Sequence, residues 1–137
     1  MAGKAPTQVQ FHDAADALGT AATLLVAAVG DGQAALVLAA DPAQAQALDA
    51  RLWEVGDEVF LPHALADDPH ATAASVLIAA PGQPEPARPL LLNLRRDAVQ
   101  REGVRIIELI PGDEAGKAAA RTRWRAYAGR GLKPVKC

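Results

Sequence analysis

The chain has 137 residues, half of them apolar, and a formal net charge of −2, which suits one domain with a core of its own spanning residues 1–137. Its single cysteine, Cys137, allows no internal disulfide, and no apolar run reaches the roughly 18 residues that cross a bilayer. With no signal-peptide pattern at the N-terminus, a cytoplasmic protein without membrane contact is expected.

Strand and helix signals alternate along the chain, which predicts an α/β domain with a mostly parallel sheet. QVQFHD (8–13) reads as a first short strand, and AADALGTAATLLVAAVG (14–30) as an alanine-rich helix closed by Gly30. AALVLAA (34–40) is a continuous apolar run, the signature of a strand covered on both faces. Asp41 is placed to cap a helix that starts at Pro42 and carries Ala47, Leu48 and Leu52 at helical spacing. Residues 58–73 hold a short β-like piece and a proline-broken polar loop. SVLIAA (75–80) and PLLLNL (89–94) are two buried strands, joined by a proline-rich segment unsuited to helix. RDAVQREG (96–103) is expected to form a short helix, VRIIELI (104–110) the last strand, and residues 113–128 a final helix ended by Gly129 and Gly131.

The motifs of nucleotide chemistry are out of order. Gly30-Asp31-Gly32 precedes a strand instead of leading from strand to helix, so no helix N-terminus receives a pyrophosphate. PGDEAGK does join strand to helix, but it lacks P-loop glycine spacing and sets two carboxylates where phosphates would sit. PHALADDPH gathers His63, Asp67, Asp68 and His70 as possible metal ligands or an acid/base group, though the prolines before both histidines break any helix that would align them. No metal and no cofactor is expected; a metal-dependent enzyme using this loop is the weaker alternative.

Charge is divided unevenly. Residues 1–111 carry 7 Lys and Arg against 14 Asp and Glu, a net −7, while residues 112–137 carry 7 against 2, a net +5. On the final helix, Lys117, Arg121 and Trp124 fall within a sector of about 60°, flanked by Arg125 and Tyr127, with Ala119 and Ala126 on the opposite side where they would pack on the sheet. Two accounts of Trp124 stand side by side: a core residue beneath a solvated basic face, or the apolar wall of a groove in which guanidinium groups hold a carboxylate. Direct nucleic-acid binding is a further alternative for the basic end. Trp53 and Phe60, flanked by Glu54, Asp57 and Glu58, read either as core or as anchors of an interface with a polar rim.

ALDARLWEVGDEVFLPHALA (47–66), LLLNLRRDAV (90–99) and VRIIELIPGDEAGKAAARTRWRAY (104–127), preceded by AALVLAADPAQAQ (34–46), resemble the chi subunit family of the DNA polymerase III holoenzyme. The resemblance implies a three-layer α/β/α sandwich, Rossmann-like but without a nucleotide site, serving as a non-catalytic accessory subunit of the clamp-loader complex. It implies that Lys117, Arg121 and Trp124, with Ile110 and Tyr127 at the edge, bind the acidic C-terminal tail of single-stranded-DNA-binding protein. It further implies that Trp53 and Phe60 face the psi subunit, with a helicase as a possible second partner there, so that contact with DNA is indirect.

Overall fold

The computed structural model describes residues 6–55, 61–69 and 71–137. Strands β1 (Gln8–Asp13), β2 (Ala35–Leu38), β3 (His63–Leu65), β4 (Val76–Ala79), β5 (Leu90–Asn93), β6 (Arg105–Ile110) and β7 (Val135–Lys136) form one sheet in the order β3-β4-β2-β5-β6-β1-β7. Every pairing is parallel. Helices α1 (Ala17–Gly30), α2 (Pro42–Val55) and α3 (Glu114–Gly129) cover the sheet. The result is the expected three-layer α/β/α arrangement.

Side-chain alternation along the strands sorts the core into two layers. Ala35, Val37, Val76, Ile78, Leu90, Leu92, Ile107 and Leu109 pack with Leu25 of α1 and Leu48 and Leu52 of α2. Val9, Phe11, Leu36, Leu38, Leu77, Leu91 and Ile106 pack on the other face with Ala120 and Tyr127 of α3. Topology explains the division. The connections through α1 and α2 run toward the β3 edge and that through α3 toward the β7 edge, and crossovers of a single hand must then lie on opposite faces.

Local chemistry sets the helix starts. The Asp16 carboxylate accepts the Gly19 amide at 3.2 Å and so opens α1 three residues later than the apolar pattern suggests. Asp41 accepts the Gln44 amide at 2.7 Å ahead of Pro42, as expected for α2. Asp113 accepts the Gly116 amide at 3.0 Å to open α3. Gly116 has no room for a side chain, since a Cβ there would lie 2.6 Å from Pro111 Cβ. Past the end of α3, Gly131 takes a positive φ of 83° and turns the chain back to the sheet.

Three expectations are corrected. Residues 96–103 are not helical. Their backbone groups are occupied by side chains from elsewhere: Asn93 Nδ2 and Arg123 Nη1 donate to the Asp97 and Arg96 carbonyls, the Val99 amide donates to Tyr127 Oη, and Arg130 Nη1 donates to the Val99 carbonyl. Ala126 is exposed, because the face of α3 against the sheet is centred on Ala120, Arg123 and Tyr127. Residues 135–136, absent from the sequence-based elements, form β7 beside β1.

Candidate functional site

A buried polar cluster holds α3 in place. Glu108 on β6 is fully buried, and its carboxylate accepts Arg123 Nε at 2.8 Å on one oxygen and Asn93 Nδ2 at 2.8 Å and Tyr127 Oη at 2.5 Å on the other. Arg123 also donates to the Leu109 carbonyl at 3.2 Å. Burial pushes the Glu108 carboxyl up, opposed by the hydrogen bonds from Asn93 and Tyr127 and by the Arg123 charge. Burial, and then the Glu108 charge, pushes the Tyr127 hydroxyl up, so it stays a proton donor. Arg123 is thereby taken out of the basic surface: its charge is met inside the molecule.

The Tyr127 ring and Phe11 of β1 lie edge to face with centroids 6.2 Å apart, and Phe11 in turn meets Trp124 at 4.9 Å. Above these rings is a groove of about 630 Å³ between α3, the end of β6 and the β1/β7 edge. Phe11, Ile110, Ala120 and Trp124 form its apolar part, and Lys117, Arg121, Arg125, Lys136 and Asp13 its charged part. Lys136 Nζ pairs with Asp13 at 3.0 Å, and Lys117 Nζ stands 3.9 Å from Glu114. Among the described residues, neither Arg121 nor Arg125 has an ion-pair partner, so two guanidinium groups are open to an anionic ligand.

Of the residues named from the sequence, Lys117, Arg121, Trp124 and Ile110 meet in this groove. Tyr127 does not reach its edge; it is fully buried beneath, where the need to satisfy Glu108 and Val99 holds it. Trp124 combines both accounts, half-buried against Phe11 and lining the groove. Phe11, Asp13 and Lys136 escaped sequence reasoning. They come from opposite ends of the chain and reach α3 only through the β6-β1-β7 order.

Trp53, in the last turn of α2, is 65% exposed and sets its ring against that of His63 at 4.7 Å. His63 Nδ1 lies 2.8 Å from the Leu61 carbonyl, and Nε2 is 3.4 Å from Asp49. That ring is therefore turned toward α2 and is not free to join Asp67 and Asp68. Phe60 and His70 lie outside the described residues. Among the described residues, no three His, Cys, Asp or Glu side chains come together as a metal site.

A second crevice, of about 460 Å³, opens at the carboxyl ends of β2, β5 and β6, the position where α/β folds hold nucleotides. The N-termini of α1, α2 and α3 are capped by Asp16, Asp41 and Asp113 of the chain itself. Arg95, which lines the crevice, is engaged by Glu85 at 2.9 Å and by the Ala39 and Ala79 carbonyls.

The architecture is similar to that of the C-terminal domain of the DEAD-box protein Dbp5, with a TM-score of 0.65 at 12% identity over 97% of this chain and 90% of that one, a likeness of fold alone. Residues 7–135 match the family model described as DNA polymerase III chi subunit, HolC. The DNA polymerase III subunit chi of Pseudomonas aeruginosa is 35% identical, over 91% of this chain and 92% of its own length. That of Escherichia coli is 31% identical, over 70% of this chain and 67% of its own length. None of the helices in the described residues is long and apolar enough to cross a membrane. With a match over nearly its whole length, and with the motifs that build α2, β6 and α3 inside that match, the chain belongs to the DNA polymerase III chi subunit family.

Proposed function

We propose that this chain is a non-catalytic accessory subunit of the clamp-loader complex whose groove takes the acidic C-terminal tail of single-stranded-DNA-binding protein. The observation that carries the reading is an apolar floor of Trp124, Phe11 and Ile110 beside two arginines without ion-pair partners among the described residues. A tail that ends in an apolar side chain and a free carboxylate needs both: a concave apolar surface for the first and a planar guanidinium for the second. Four cations against one carboxylate in the lining also give the acidic residues upstream of the tail a favourable field.

Calorimetric titration with a peptide of the host tail, beside one lacking its last residue, tests the reading. Saturable binding is expected only for the intact peptide, and it should weaken as salt rises, because the arginines are exposed and screened. Arg121→Ala should lose about 1.5–3 kcal/mol of affinity, the range for hydrogen bonds to charged groups, with unchanged folding. Equal binding by this variant would refute the assignment.

On the opposite face of the sheet, Trp53 is supported as the docking anchor for the psi subunit by its exposure in a chain otherwise poor in aromatics. A helicase subunit is a second partner proposed for the same face. With one partner on α3 and the other on α2, the domain would bridge coated single-stranded DNA to the clamp loader while touching DNA only indirectly.

A further inference from the structure

The groove contains a carboxylate that its anionic ligand would have to tolerate. Asp13, at the end of β1, lines the same cavity as Arg121, Arg125 and Trp124. It is 68% exposed and is met by Lys136, 58% exposed, at 3.0 Å across the β1/β7 edge. The pairing is built into the sheet. Phe11 lies opposite Lys136 in the parallel register, and the Cys137 amide donates to the Phe11 carbonyl at 2.9 Å, so β7 carries the ammonium group to the cavity wall. One wall is consequently close to neutral while the α3 wall carries the arginines.

We propose that Asp13, offset by Lys136, is a specificity-determining residue of the groove, confining its anion binding to the α3 wall. This rests on the acidic-peptide reading given above. An acidic ligand gains at Arg121 and Arg125 and nothing at β7, since any carboxylate approaching Lys136 also approaches Asp13. Position along the peptide is thereby read as well as total charge: acidic residues count only where they reach α3.

Titration at low salt of the full chain with a short acidic peptide that ends in an apolar residue and a free carboxylate tests this, beside the same peptide with its acidic side chains replaced by amides. Asp13→Asn should tighten the acidic peptide on the order of threefold and shift the amide peptide by less than about twofold, the scale of one exposed charge near a screened ligand. Lys136→Gln should weaken the acidic peptide to a similar degree, and the double variant should return close to the parent. Unchanged affinity in either single variant, or an equal gain for both peptides in Asp13→Asn, overturns the inference. If the parent binds and Arg121→Ala does not, that failure leaves the functional reading standing; no binding by the parent overturns both.

Discussion

Arg121 and Arg123 stand two residues apart on one helix, and the structure gives them opposite roles. Replacing Arg123 by methionine keeps much of the apolar stem but leaves Glu108, fully buried, without its counter-charge and with one carboxylate oxygen unpaired. Asn93 and Tyr127 would still bond the other oxygen. Removing one partner of a buried pair typically costs about 3–5 kcal/mol, more than the pair itself contributes. For a domain of this size that corresponds to a fall in Tm of roughly 10–20 °C. Arg121→Met, on an exposed side chain without an ion pair among the described residues, should stay within about 0.5 kcal/mol of the parent. Urea unfolding of the two variants, followed by far-ultraviolet circular dichroism, gives both differences directly. Adding Glu108→Gln to Arg123→Met removes the stranded charge and keeps an acceptor for Tyr127, so it should recover more than half of the loss. A loss below about 1 kcal/mol for Arg123→Met, or no recovery in the double variant, would refute the view that this pair anchors α3.

Trp53→Ala should leave the melting temperature nearly unchanged, because the ring is mostly exposed, yet abolish co-elution with a psi partner; a large loss of stability would show that the ring supports α2 instead. Burial, and then the Arg105 charge, lowers the pKa of His12, whose Nε2 is buried without a hydrogen-bond partner among the described residues. The neutral imidazole is favoured in the fold, so its contribution is full above the unfolded pKa of about 6.5 and is lost as pH falls below it. Between about pH 7.5 and pH 5.5 the Tm of the parent should therefore fall further than that of His12→Leu, and equal slopes would count against the effect.

Where the sequence carries its own local reason, the fold was legible. Asp41 with Pro42 marks the start of α2, and the apolar runs of β2, β4 and β5 announce strands buried on both faces. Lys117, Arg121 and Trp124 were recognisable because a single helix brings them together. What needed the tertiary structure was missed for a common reason. Residues 96–103 have a helical pattern, yet Asn93, Arg123, Tyr127 and Arg130 bind their backbone groups from a distance. Arg123 carries the most polar of side chains and Tyr127 a hydroxyl, so periodicity places both outward. Only the carboxylate of Glu108, which no local pattern marks as buried, explains why they turn in. Phe11 and Lys136 join the groove through strand order, which pairwise contacts across the whole chain decide.

The position of β1 has a consequence for the protein during synthesis. Its two neighbours are β6 and β7, so the first strand to pair with it, β6, emerges about a hundred residues later, a loop whose closure is slow. On a growing chain, β2, β4 and β5 find their neighbours early, whereas Val9 and Phe11 wait without cover until β6 and α3 have been made. A nascent subunit would thus present an uncovered apolar strand until translation is nearly finished, a task for a holdase. The groove would likewise be missing until then, since Phe11 meets Trp124 only once α3 has been made.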